Sequence, residues 1–152
     1  MEKINSELFI ILMSMLPINE LRGTIPIALS MNQPVVKTLL LAIIGNLIPV
    51  GPLLVFLRPV SERLRRFKIW RRFFEHIFNH TEKKARIVQK YGALGLILFV
   101  AIPLPVTGAW TGSVAASLFK IRFRYAFSAI AVGVIISGCI VTAIYRLAQM
   151  AL

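Results

Sequence analysis

The sequence predicts an all-α integral membrane protein. Two inverted repeats, each a re-entrant broken-helix hairpin plus a spanning helix, are joined by a basic amphipathic cytoplasmic helix. Three observations carry this expectation. Of the 152 residues, 57% are hydrophobic and only 16% charged, with a mean hydropathy of +0.77, well beyond a soluble domain with a large core. Two apolar stretches are interrupted by prolines and glycines where a spanning helix should run straight. The interruptions recur at a common spacing, as in internally repeated membrane proteins. The chain therefore divides as one membrane domain over 1–152, with repeat one at 4–58, a cytoplasmic or interfacial linker helix at 59–82, and repeat two at 83–150.

Ile4 to Leu16 read as a short helix of about 13 residues, under the roughly 20 that a span requires. The stretch that follows, LPINELRGTIPIAL from Leu16 to Leu29, is apolar yet holds Pro17, Gly23, Pro26, Glu20 and Arg22. An unsatisfied amide in hydrocarbon costs several kcal/mol, and a charge at the bilayer centre about 2.5 to 3.5 kcal/mol. Such a segment survives at membrane depth only where protein or a wet cavity surrounds it. It is expected to break, turn back through a half-helix at Thr24 to Met31, and build a site. No small-residue cleavage signal follows the apolar run Leu8 to Leu16, so a removed signal peptide is not expected.

Asn32-Gln33-Pro34 is a turn, with Pro34 suited to a first helical position. Val35 to Leu57 then gives a full span in which Pro49 and Pro52 predict a kink. Gly45 and Gly51 read mainly as helix-packing positions. Beyond Arg58-Pro59, Leu64, Phe67, Trp70, Phe74, Ile77 and Phe78 alternate at helical spacing with Arg63, Arg65, Arg66, Lys68, Arg71 and Arg72, the pattern of an interfacial helix. His76 and His80 share a face there, but no further ligands accompany them, so no metal site is expected. Asn79-His80-Thr81 matches a glycosylation pattern but falls in the loop expected to be cytoplasmic.

Thr81 is a plausible cap for a helix that runs back into the membrane. Gly92 to Ile102 is apolar, and the second interrupted stretch follows as Pro103-Leu104-Pro105-Val106-Thr107-Gly108-Ala109-Trp110-Thr111-Gly112. A small-residue run, Ser113 to Leu118, precedes the basic cluster Lys120, Arg122 and Arg124. A long span from Tyr125 to about Tyr145 closes the chain. Cys139, the one cysteine, reads as a buried small hydrophobe.

The halves correspond at a separation of 88 residues: Pro17 with Pro105 and Gly45 with Gly133, since 105 − 17 and 133 − 45 both equal 88. With one inserted residue, Gly23-Thr24-Ile25 falls on Gly112-Ser113-Val114. Charge sets the orientation. The net charge is +12, and eleven of the eighteen Lys and Arg residues lie between Arg58 and Lys90. Beside membrane segments this marks a cytoplasmic loop against anionic lipid, not a nucleic-acid surface. Lys120, Arg122 and Arg124 stay on the same side only if the second interrupted segment dips in and returns. By symmetry the first half dips from the opposite face, and both termini are outside.

The expected site residues are those the two breaks bring to membrane depth. Glu20 is read as a proton-titrating or cation-binding group, and Arg22 as a ligand for an anionic head group. Asn19, Thr107, Trp110 and Thr111 supply further polar or aromatic contacts, and Pro17, Gly23, Pro26, Pro103, Pro105, Gly108 and Gly112 are the candidate helix-break residues. The alternative for Glu20 and Arg22 is a structural ion pair. Burial disfavours a charged carboxylate and a nearby Arg favours it, so the protonation state stays open at this stage. The chain has no aspartate, which removes aspartyl-phosphate chemistry and acid clusters for magnesium. No catalysis and no cofactor are expected.

NELRGTIPIAL, GNLIPV, the basic loop and YGALGLILFVAIPLPVTGAWTG resemble the bacterial and archaeal family of small multidrug export proteins over nearly the whole chain. The resemblance implies a kinship with the DedA (VTT-domain) superfamily, with its paired re-entrant loops, proton-linked transport and lipid carriers such as polyprenyl phosphate as substrates. There the working groups are acids in the first loop, a role that falls on Glu20, and arginines in the second, where Thr107 to Gly112 carry none. The expected function is a small transporter moving an amphipathic molecule or lipid head group, proton-coupled. The alternative is an uncoupled lipid scramblase or membrane-organising protein. Its partners would be membrane lipids, a small-molecule or lipid-phosphate substrate, and a second copy, because two spans enclose little. Its place would be the inner cell membrane, multi-pass, with loop 58–90 cytoplasmic.

Overall fold

The computed structural model describes residues 2–64, 92–104 and 107–151. Of the linker helix expected at 59–82, residues 59–64 continue the helix that begins at Val50, past the expected exit at Arg58-Pro59; residues 65–82, with His76 and His80, lie outside the described residues, as do Pro105 and Val106. Among the described residues the secondary structure is entirely helical: α1 Glu2–Met15, α2 Glu20–Ser30, α3 Val35–Leu47, α4 Val50–Leu64, α5 Ala93–Ala101, α6 Ala109–Leu118 and α7 Phe123–Ala151. Two stretches are long and apolar enough to cross a bilayer, Val35–Leu57 and Phe123–Ala151. The first is interrupted at Ile48 and Pro49, which has no N–H to offer, between α3 and α4. The second is one helix of 29 residues, about 43 Å at 1.5 Å per residue.

Beside buried aliphatics such as Leu21, Leu96 and Ile130, the spanning helices bury small and polar residues and leave many large apolar ones exposed. On α3 the buried face is Thr38, Ala42, Gly45 and Asn46, while Val36, Leu40 and Ile44 are exposed. On α7 the buried set includes Ala126, Ala129, Gly133, Ser137, Gly138 and Thr142, while Val132, Ile135, Ile144 and Leu147 face outward. Helices that associate in lipid gain nothing from hiding leucine. They gain from close backbone approach and from sheltering polar groups.

Small residues set that approach. A Cβ at Gly45 would lie 2.5 Å from the Ile11 carbonyl on α1, and one at Gly133 would lie 2.7 Å from Val100 Cβ on α5. The two glycines paired by sequence spacing thus do the same job, letting a short helix cross a spanning one. Gly51, expected to pack likewise, has nothing within 4 Å of a would-be Cβ. Cys139, expected to be buried, is exposed on the outer face of α7.

The short helices pack in corresponding ways: α1 lies on α3 and α5 on α7, while α2 contacts α7 and α6 contacts α4. An ion pair between Lys37 and Glu7 ties the start of α3 to the first half of α1. The chain therefore runs out along α1 and comes back along α2 before α3 begins. At 14, 11, 9 and 10 residues, none of α1, α2, α5 and α6 has the roughly 20 residues a span needs. Their broken ends meet in the interior.

The second half-helix of the first repeat starts earlier than expected, at Glu20 rather than Thr24. The reason is that helical hydrogen bonding hardly lapses: Glu20 N–H donates to the Leu16 carbonyl at 2.9 Å and Gly23 N–H to Asn19 at 2.8 Å. Gly23 and Pro26 thus lie inside α2 and Gly112 inside α6, as interior positions rather than breaks. Pro17, Pro103 and Gly108 do stand between helices. The final span is longer than the expected Tyr125 to Tyr145, reaching Ala151.

Candidate functional site

The two breaks converge on a cleft of about 470 Å³. The first break contributes Pro17, Ile18, Asn19, Glu20, Arg22 and Gly23. The second contributes Pro103, Leu104, Thr107, Trp110 and Thr111. All six residues expected to bind substrate or proton line this one space.

Glu20 is 7% exposed and adopts φ +46°, a left-handed backbone that costs a non-glycine residue about 1–2 kcal/mol. That conformation turns its side chain onto the start of α6. Trp110 N–H donates to Glu20 Oε1 at 3.3 Å. An acid at a helix N-terminus meets unsatisfied N–H groups and the positive end of the helix dipole. Gly108 is what makes this possible: a Cβ there would coincide with the carboxylate.

Arg22 does the opposite job at the other half of the second break. Its Nη2 donates to the carbonyls of Val100 at 3.0 Å and Ile102 at 3.2 Å. Its Nη1 donates to the Leu104 carbonyl and to Thr107 Oγ1 at 3.1 Å, and Nε reaches Ser137 Oγ at 3.3 Å. A guanidinium at a helix C-terminus meets orphan carbonyls and the negative end of the dipole. Acid and base therefore each cap a different end of the second interrupted segment. They do not form an ion pair with one another: among the described residues the salt bridge found is Lys37–Glu7.

The hydroxyls expected to meet substrate are turned to the backbone. Thr107 Oγ1 lies 2.9 Å from the Ile102 carbonyl and 3.0 Å from that of Leu104. Thr111 Oγ1 accepts from Gly108 N–H at 2.9 Å, a cap for α6. Trp110 Nε1 donates to the Met15 carbonyl at 3.1 Å, fastening the start of α6 to the end of α1. Thr24 and Ser113, paired by the repeat, each bond back one turn, to Glu20 O at 2.6 Å and Ala109 O at 2.7 Å.

Sequence reasoning did not find Ser137, Gly108's role against Glu20, or the carbonyls of Val100, Ile102 and Leu104 as partners. Ser137 carried a signal: a hydroxyl amid an apolar span needs a partner that no neighbour in sequence supplies. It is the fifteenth residue of the 29 in α7, so its bond to Arg22 sets the cleft at the level of mid-span.

Apolar flanks, small and polar interhelical contacts, and a charged cleft between the two breaks define a helical membrane protein. A family model described as "Putative small multi-drug export protein" matches residues 20–140. The chain belongs to that family, whose description points to transport rather than catalysis. Neither the curated proteins nor the solved structures gave a match.

Proposed function

We propose that the protein exports an amphipathic small molecule through the cleft between the two breaks, with Glu20 carrying the coupling proton. One observation carries this reading: a buried carboxylate without an ion-pair partner among the described residues lines a cleft walled by both breaks. A charge held at such depth is expensive unless it is used. In this reading the halves are inverted repeats, α1–α2 and α5–α6 are re-entrant hairpins entering from opposite faces, and alternate exposure of the cleft is a rocking of one half against the other. The matched roles of Gly45 and Gly133 and the return of the chain at Lys37–Glu7 support it. The protein would sit multi-pass in the inner membrane with loop 58–90 cytoplasmic, and a second copy would complete the wall of the pathway.

The mechanism follows from the geometry. Deprotonated Glu20 is held by the Trp110 amide at the start of α6. Protonation removes the charge that this amide and the helix dipole favour. It thereby loosens the tie between the first break and the second, which is the tie a rocking motion must change. Reconstituted protein should move amphiphiles in a manner driven by a pH gradient, and Glu20→Gln should abolish that dependence. Flux by Glu20→Gln that still follows the gradient would refute proton coupling through this residue.

A further inference from the structure

Arg22 has no hydrogen-bonding capacity left for a ligand. A guanidinium carries five N–H donors and no acceptor. Five protein acceptors meet them: Ser137 Oγ at Nε, Leu104 O and Thr107 Oγ1 at Nη1, Val100 O and Ile102 O at Nη2. Apart from the Asn19 amide, the other side-chain donors that line the cleft are engaged in the same way. Thr107 and Thr111 hydroxyls serve the loop backbone, and the Trp110 indole N–H serves Met15 O.

The acceptor side is different. The Glu20 carboxylate has about four lone-pair sites, and among the described residues the Trp110 amide is its hydrogen-bond donor. What remains to face a ligand is carboxylate oxygen, the Asn19 amide, whose contact to Met13 Sδ is long at 3.8 Å, the half-buried Trp110 ring and the apolar walls of Pro17, Ile18, Pro103 and Leu104. An anion needs several donors, of which the side chains leave the Asn19 amide, and desolvating one with so few is costly. A lipophilic cation needs a negative group and an aromatic or apolar wall.

We infer that the cleft is selective for lipophilic organic cations against anions of the same shape, with Glu20 as the counter-ion and Arg22 as a clamp on the second break instead of a ligand. This rests on the export reading for the location of the site, and it excludes phosphate head groups from direct recognition by Arg22. Protons and cations would compete for one carboxylate, so cation binding should weaken as the medium is made acidic enough to protonate Glu20.

The test uses the full-length protein purified in a neutral detergent, with partition into empty micelles subtracted. Tetraphenylphosphonium and tetraphenylborate share size and shape and differ in charge sign. The native protein should bind the phosphonium at least tenfold more tightly, inorganic phosphate should not displace it, and acidification should release it. Glu20→Gln should lose the preference. If that variant does not yield folded protein, the charge preference and acid release of the native chain decide alone. Equal binding of the two ions, preference for the borate, displacement by phosphate, or binding of neither overturns the inference. Flux separates it from the export reading: Glu20-dependent movement of an anionic amphiphile in vesicles sinks cation selectivity and leaves export standing, whereas selective phosphonium binding with no flux of any amphiphile does the reverse.

Discussion

Replacing Arg22 by lysine keeps the positive charge and removes the fork that holds the second break. In the structure the guanidinium makes five hydrogen bonds, three of them to carbonyls of Val100, Ile102 and Leu104 at or beyond the end of α5. Side-chain hydrogen bonds within membrane bundles average about 0.6 kcal/mol each, which makes the set worth roughly 3 kcal/mol. A lysine ammonium is a point charge with three donors on a flexible stem and cannot reach acceptors spread around a planar fork. Arg22→Lys should therefore lower unfolding stability by about 2 kcal/mol. Arg22→Met, which also leaves the carbonyl of buried Val100 without this donor, at about 1–3 kcal/mol, should lower it further. Unfolding in mixed micelles with increasing sodium dodecyl sulfate, followed by tryptophan fluorescence, reads both. If Arg22→Lys unfolds within about 0.5 kcal/mol of the native chain, Arg22 acts through charge alone and the clamp is wrong.

Two further predictions concern packing. Gly45→Ala and Gly133→Ala force a Cβ to within 2.5 Å of Ile11 O and 2.7 Å of Val100 Cβ, so each should destabilise by about 1–3 kcal/mol. Gly51→Ala, with nothing within 4 Å, should be neutral or gain up to about 1 kcal/mol in helix propensity; equal effects at all three positions would contradict the interhelical contacts. Asn46 is 1% exposed and neither its Oδ1 nor its Nδ2 has a partner. Since an unmade hydrogen bond in a buried site costs about 1–3 kcal/mol, Asn46→Leu should unfold at the same or a higher midpoint in the same titration. A clear loss would mean the amide has a partner in the membrane.

Much of the fold was legible because the forces that specify it are local or periodic. Composition marks membrane residence, and the runs at Val35–Leu57 and Phe123–Ala151 are apolar enough to be seen without coordinates. Proline and charge at membrane depth mark the breaks, since neither is tolerated in a straight lipid-facing helix. The 88-residue offset picked out Gly45 and Gly133, which proved equivalent in their contacts. Local rules failed where a helix could carry on through the supposed break. Gly23, Pro26 and Gly112 are signals of interruption in sequence, yet neighbouring helices hold them within α2 and α6.

The sequence by itself determined that an acid and a base enter the interior two residues apart, and that a second interrupted segment exists to meet them. It could not determine what each would touch. Glu20 and Arg22 look like a natural pair, but the left-handed backbone at Glu20 sends one to the N-terminal end of α6 and the other to the C-terminal end of α5. The partners lie 78 to 115 residues away. They are chiefly backbone groups, whose availability depends on where a distant helix happens to stop. Only the tertiary structure fixes such ends, and so only it decided which distant backbone groups hold the acid and which hold the base.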